Sequence, residues 1–368
     1  MLDAGRHPRI ELLAYSDVID VSGSVGDFRV KVRRRARYVD EERCTACGLC
    51  VEKCPKKVPD EFDMTLRERR AIYLYFAQGI PAVMTIDPDA CIYFEKGKCR
   101  VCERVCEREA IDFEQSERDV ELDVGAIVVA TGLDLFDPSQ LVEYGYGRIP
   151  NVITGLEYER LINATGPTQG HLLRPSDGKL AERVGYVQCV GSRDTRYCNY
   201  CSSICCMCSI KDAMLAREHD PKSMSYIFHT DFRNAGKWFQ RYQIRGEEDY
   251  GIEYIRGRVA EITEDDEHNP VLWFEDTRTG AVSSLTVDLV VLATAAVPSR
   301  GTAEIARLLT LEVDEHGFIR GNGRSGEETS VEGIFACGFC RGPADIPESV
   351  CQASAAAALA ARIVVCRK

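Results

Sequence analysis

The spacing of its cysteines constrains this chain more than any other feature. Eight of the 18 cysteines fall in one stretch, as Cys44-x2-Cys47-x2-Cys50-x3-Cys54-Pro55 and then Cys91-x7-Cys99-x2-Cys102-x3-Cys106. Thiols two residues apart in a tight loop converge on one centre, and soft thiolates converging in this way are metal ligands. The chain shows no charged-then-apolar order at its start, so this cysteine density argues against a secreted disulfide framework and for metal ligation in a reducing, cytoplasmic compartment. Thiolate-held centres of this kind also imply a low-oxygen habitat.

The first run, closing on Cys-Pro, has the spacing of a bacterial ferredoxin half, in which three thiolates of a run hold one cubane cluster and the fourth reaches the other. It predicts one 4Fe–4S cluster on Cys44, Cys47, Cys50 and Cys106, and a second on Cys54, Cys91, Cys99 and Cys102. The second run departs from the pattern: seven residues separate Cys91 from Cys99 and no proline follows Cys106, but the loop from Ile92 to Lys98 is long enough to bring Cys91 back. Structural zinc is the alternative for such thiols.

A net charge of −12 makes nucleic acid a poor partner and gives no reason for a membrane surface. The run Arg33, Arg34, Arg35 and Arg37 reads as a solvated strand face. No apolar run reaches the roughly 18–20 residues that span a bilayer. The 368 residues, 45% of them hydrophobic, are enough for two or three domains with real cores.

Strands are expected at Ile10–Tyr15, Val18–Val21 and Phe28–Arg33, the last alternating apolar and basic. A helical linker is expected from Leu66 to Gln78, before Gly79 and Pro81. The character then changes. Val124–Gly132, Val184–Val190 and Val287–Ala295 are continuous apolar runs of the kind found in buried parallel strands, with a related segment at Val331–Gly338. Helices are expected near Ile210–Arg217 and Val350–Val365, with a strand at Ser225–His229. Strands alternating with helices predict an α/β fold. The Ala-Thr-Gly and Ala-Thr-Ala strand ends resemble those of two-domain flavoprotein reductases, which nest two dinucleotide-binding halves.

After the strand Val184–Val190 a nicotinamide-binding domain carries Gly-x-Gly-x-x-Gly. Here only Gly191 stands, and a second cysteine group takes the place of the loop: Cys189, Cys198, Cys201, Cys205, Cys206 and Cys208. A third 4Fe–4S cluster is the sharper reading; a redox disulfide or buried thiols are the alternatives. Gly338 and Phe339 stand where flavoprotein reductases carry Gly-Asp, whose aspartate binds ribityl hydroxyls. The Asp345–Ser349 segment opens the alanine-rich helix, whose N-terminus offers N–H groups to a phosphate or a flavin carbonyl, or is simply capped. Cys337, Cys340, Cys351 and Cys366 receive no role. The six histidines show no ligand spacing.

Several segments together resemble the A subunit of heterodisulfide reductase: His7–Leu13, the ferredoxin-like insert, Val128–Gly132, Gln188-Cys189-Val190-Gly191-Ser192-Arg193-Asp194, Cys205-Cys206-Met207 and Asp345–Val350. That resemblance implies a thioredoxin-reductase-like, two-domain dinucleotide-binding core that binds FAD, with an inserted ferredoxin-like α+β domain. Carried over, it divides the chain into a partial FAD-binding domain (1–38), the insert (39–118), the FAD-binding domain continued (119–183), a second Rossmann-like domain with the cysteine group (184–300) and the FAD-binding domain's C-terminal part (301–368). It implies a third cluster on Cys189, Cys201, Cys205 and Cys206, leaving Cys198 and Cys208 as extras. Lys211 matches a lysine near the reactive flavin nitrogen, where a cation stabilises reduced flavin. FAD contacts are implied at Ala130, Thr131, Gly132, Gly338, Phe339, Pro347, Glu348, Ser349 and Gln352.

The family's N-terminal glycine loop for the FAD pyrophosphate and its C-terminal second ferredoxin are not in this sequence. The expectation is a short form, whose reading frame extends upstream across a recoded stop codon or whose missing half comes from another chain. The function implied is electron transfer between FAD and clusters within an anaerobic oxidoreductase complex, with flavin-based bifurcation a family-level extension. Its partners would be thiol/disulfide-reducing subunits or a hydrogenase- or formate-linked small subunit. The alternatives are a flavin-free iron–sulfur scaffold and an NAD(P)H-dependent flavin reductase like the small glutamate synthase chain.

Overall fold

The computed structural model describes residues 2–234, 236–323 and 326–366, the last without its side chain. The chain forms two compact units, Met1–Gly125 and Ala126–Lys368.

In the first unit, Ser16–Ser24, Asp27–Arg34 and Arg118–Val124 form an antiparallel sheet in that order. The alternation read from the sequence sets its two faces: Phe28, Val30 and Val32 are buried, while Arg29 and Arg33 point outward to Asp123 and Asp119. Such exposed pairs contribute little, so the sheet rests on its apolar face. Gly23 turns the hairpin at φ 92°, where a Cβ would stand 2.1 Å from the Asp27 carbonyl oxygen. The basic run is less solvated than its sequence suggests. Arg37 is only 9% exposed, and Arg34 and Arg37 both hold Glu41 at 2.8 Å. The strand expected at Ile10–Tyr15 is absent: Tyr15 sits at φ 55°, outside the extended region, and pairing begins at Ser16.

The cysteine-rich stretch is built from short pieces. Helical turns at Leu49–Lys53, Ile92–Lys96 and Val101–Val105 accompany two small hairpins, Lys57–Pro59 with Glu68–Arg70 and Ile72–Tyr73 with Thr85–Ile86. The helix expected over Leu66–Gln78 is therefore replaced by strand pairing. Arg69 is drawn inward by Glu61 and Asp87 and lies 3.9 Å from the centre of the Tyr73 ring, contacts that a helical register would break. The core of the stretch is Val39, Cys50, Ile72, Val83, Met84, Ile86, Ala110 and Phe113, with further thiols packed around it.

The second unit is an α/β structure. Five parallel strands run in the order Val152–Thr154, Leu289–Thr294, Arg183–Val190, Met224–His229 and Glu253–Arg256. The strand Leu289–Thr294 is buried at every position, as its unbroken apolar run predicts. An antiparallel meander, Val259–Glu264, Pro270–Asp276 and Ala281–Thr286, contributes Val259, Ile262, Leu272 and Phe274 to the same core. The strand expected over 124–132 breaks into Arg118–Val124 and Ile127–Val129. The second piece pairs in parallel with Ile334–Ala336, a shorter strand than the 331–338 segment predicts.

The alanine-rich helix begins earlier than expected and runs Ile346–Cys366. By length and composition Ile346–Val365 meets the measure of a membrane-spanning helix, which corrects the expectation that no segment does. Alanines and valines supply that hydropathy, although Glu348 and Arg362 lie on the same helix.

Candidate functional site

In the insert, the structure brings the predicted ligands into two groups. Cys54, Cys91, Cys99 and Cys102 line one cavity together with Ala71, Ile72 and Ile86. Cys50 is pushed up to about 11 by burial, and the neighbouring thiols of Cys44, Cys106 and Cys47 add to the rise. Cys102 is pushed up to about 12 by burial, with Cys91 and Cys54 beside it. Cys50, of the first group, also lies close enough to act on Cys102, so the two groups are neighbours. The long loop that separates Cys91 from Cys99 folds into the Ile92–Lys96 turn, closed by Gly97 at φ 62°, and Cys99 follows at φ 87°.

The second cysteine group lies where the parallel sheet offers its crevice. Ligands of open α/β sheets bind at the carboxyl ends of strands where the strand order reverses. That reversal falls here between Arg183–Val190 and Leu289–Thr294. The pairing register shifts between Val187 and Val190, and Cys189 takes φ 61°, so the bulge turns Gln188 and Cys189 out of the regular alternation. Cys205 and Cys206 open the helix Cys205–His219, which starts earlier than its sequence pattern suggests; the Cys205 Sγ faces the Thr294 carbonyl at 3.8 Å.

Burial first, then the thiols of Cys206, Cys189, Cys208 and Cys201, push Cys205 far up; Cys206 is pushed up to about 11 by burial, with Cys189 and Cys201 adding to it. Cys189, Cys201, Cys205 and Cys206 therefore lie together in one nest, with Cys208 also beside Cys205. Cys208 faces Asp212, Lys211 and Glu159 as well, and Cys198 packs on the sheet core. Buried thiols crowded in this way are costly to ionise unless positive charge joins them, which bound iron supplies as protons leave.

Among the described residues no three such donors converge where a single metal ion would sit.

Gly191, the one remnant of a glycine loop, has a structural reason to stay. It sits at φ 76°, and a Cβ there would lie 2.4 Å from the Phe136 ring. Gly191→Ala is expected to destabilise the fold by about 2–4 kcal/mol, read by thermal unfolding of the variant.

The residues implied for FAD are only partly gathered. Thr131 Oγ1 lies 2.6 Å from Thr302 Oγ1, and Gly132 follows at φ 76° with open space around it. The Gly338 N–H donates to Gln352 Oε1 at 2.8 Å, and Ser349 lies beside Gly338. These residues stand at the ends of two parallel strands and at a helix start, which suits a nucleotide-type cofactor. Ala130, Pro347 and Glu348 are exposed. Phe339 instead packs with Ala296 and Phe318, so it offers no polar contact. Glu348 Oε2 accepts from the Asp345 N–H at 3.0 Å while Asp345 Oδ1 accepts from the Glu348 N–H at 2.8 Å, so this helix caps itself.

Lys211 pairs with Glu159 and, at 2.9 Å, with Asp212. Its charge is therefore balanced by carboxylates, and local sequence carries no signal for Glu159, which comes from the Gly155–Leu161 helix. Asp212 is buried and pushed up to about 7, first by burial and then by the Glu159 charge, with Lys211 opposing. The folded state thus keeps a proton that the unfolded chain releases near pH ~4. Stability falls as pH rises from about 4 to about 7. Melting temperatures across that window are expected to fall less steeply in Asp212→Asn.

Fold and thiol nests define a chain that carries both a 4Fe–4S binding region and an α/β unit with a parallel sheet. Residues 37–60 match the 4Fe–4S binding domain family, Fer4. Along nearly all its length the chain is similar to A subunits of heterodisulfide reductase. It is 43% identical over 364 residues to the A subunit of the H(2):CoB-CoM heterodisulfide,ferredoxin reductase of Methanothermobacter marburgensis, covering 98% of this chain and 54% of that protein. It is 47% identical over 365 residues to the second iron-sulfur A subunit of the CoB--CoM heterodisulfide reductase of Methanopyrus kandleri, covering 98% and 55%. A protein of Archaeoglobus profundus described as like the A subunit of heterodisulfide reductase is 42% identical over 408 residues, covering 99% and 58%.

The chain spans about half the length of these relatives. Among solved structures it is similar to thioredoxin reductases from T. acidophilum (TM-score 0.41, 16% identity, 66% of each chain) and Lactococcus lactis (TM-score 0.43, 17% identity, 80% of this chain and 86% of that one).

Proposed function

We propose that the chain is an electron-transfer part of a cytoplasmic, anaerobic oxidoreductase complex of the heterodisulfide reductase kind. The observation that supports this reading is that its cysteines gather into three groups of neighbouring thiols. Two are in the insert, Cys44, Cys47, Cys50 and Cys106, and Cys54, Cys91, Cys99 and Cys102; the third is Cys189, Cys201, Cys205 and Cys206. Each nest would hold one 4Fe–4S cluster, and a cluster passes one electron at a time. The chain's own contribution is burial. Ile72 and Ile86 line the second nest, and apolar surroundings of this kind tune a cluster's potential.

FAD, when bound, supplies the exchange between two-electron and one-electron chemistry. Thr131, Gly132, Gly338, Ser349 and Gln352 are the residues that would line it. Electron bifurcation would be a further property of the assembled complex. The expected partners are thiol/disulfide-reducing subunits and a hydrogenase- or formate-linked small subunit.

A second reading, a flavin-free iron–sulfur scaffold, is favoured by the apolar packing of Phe339 and the self-capped start of the last helix. Flavin extraction from anaerobically purified protein separates the two. About one flavin per chain supports the first reading, and none, with iron retained, supports the scaffold. Bleaching by NADH would instead support a nicotinamide-dependent reductase.

A further inference from the structure

Directly beside Cys189 lies a cavity of about 90 Å³, formed at the carboxyl ends of Arg183–Val190 and Met224–His229 and by the turn after Glu253–Arg256. Its walls include Gln188, Cys189, Arg193, His229, Thr230 and Arg258. Gln188 is 8% exposed, and among the described residues neither its Oε1 nor its Nε2 has a hydrogen-bond partner. The His229 Nδ1 is likewise buried without one. A buried amide that forgoes both its bonds is costly, so these atoms point to something that completes them.

The surrounding charge is positive. Arg193 pairs with Asp231, which Arg233 also approaches at 3.6 Å. Arg258 and Arg196 share Asp194 at 3.2 and 2.9 Å, and Arg196 also reaches Glu143 at 3.4 Å. Arg256 acts on His229 from the adjoining strand: burial first, then the Arg256 charge, lower the imidazole to about 4, with Asp231 opposing. Guanidinium groups thus outnumber carboxylates around the cavity. The imidazole is neutral near pH 7 and can donate or accept through its free nitrogen.

We propose that this cavity binds a small oxyanion, the phosphate or carboxylate group of a ligand, held by the Gln188 amide, the His229 imidazole and the Arg193 and Arg258 guanidinium groups beside Cys189. The site adjoins the thiol nest through Cys189, whose thiol Arg193 also contacts, and none of its residues is among those implied for FAD. A negative charge arriving there would oppose reduction of a cluster held by Cys189, so ligand binding and electron acceptance would be coupled. That coupling rests on the third-cluster reading; the binding itself does not.

The test is calorimetric titration of the anaerobically purified full chain with inorganic phosphate and, separately, with acetate, alongside iron analysis of the same samples. Saturable binding of phosphate, acetate or both is expected, and the stronger of the two names the ligand group. Gln188→Leu and His229→Phe are each expected to weaken it by about tenfold or more, the loss of a hydrogen bond to a charged group. His229→Phe lies outside the thiol nest and keeps the test valid should Gln188→Leu disturb Cys189. No saturable binding of either anion, or affinities unchanged in both variants, would overturn the proposal. Missing iron with intact anion binding would count against the third cluster alone.

Discussion

Replacing Cys189 with alanine is expected to remove about four iron atoms per chain and to abolish one cluster's electron paramagnetic resonance signal after reduction. Cys201→Ala, Cys205→Ala and Cys206→Ala are expected to remove the same signal. Cys198→Ala and Cys208→Ala are the controls. Cys198 belongs to the sheet core, and Cys208 faces the Glu159, Lys211 and Asp212 side chains, so both variants are expected to keep their iron. The contrast matters because the group offers six thiols for four places. The bulge at Gln188 and Cys189 and the helix start at Cys205 choose among them. Iron loss from Cys198→Ala or Cys208→Ala, with iron retained in Cys189→Ala, would reassign the ligands.

A second large effect is expected in the insert. Cys54→Ala and Cys102→Ala are far apart in sequence but share one cavity, so both should lose the same cluster, about four iron atoms, while the other signal persists. Cys50→Ala and Cys106→Ala, which neighbour one another, should lose the other cluster. Identical signals lost in Cys54→Ala and Cys50→Ala would show that each run holds its own cluster without crossing. Truncating a buried thiol also removes packing. Cys50 lies within the core around Val39, Ile72 and Phe113, so its variant is the one expected to lose thermal stability as well as iron.

Much of this could be read from residues alone, because the signals were periodic or spaced. The unbroken apolar run around Val290 and Val291 specifies a strand buried on both faces, and the alternation from Phe28 to Arg33 specifies one with a single buried face. The grouping of Cys54 with Cys91, Cys99 and Cys102 around one cavity is the one that ligand spacing suggests. What failed was decided by contacts distant in sequence. The Leu66–Gln78 segment has helix-forming residues, but Arg69 is claimed by Glu61 and Asp87, and its neighbours pair as strands. The Glu159 partner of Lys211 sits 52 residues earlier and leaves no local trace. Gln188 did leave one. It is a polar side chain inside an otherwise apolar strand, the pattern that in a buried position calls for a partner.

Electron transfer through this chain requires that the three thiol nests hold iron. Iron and acid-labile sulfide measured on the native protein, purified and handled without oxygen, test this most directly. About twelve of each per chain is the predicted result, the content of three cubane clusters. Zinc in place of iron, with no labile sulfide, would contradict it.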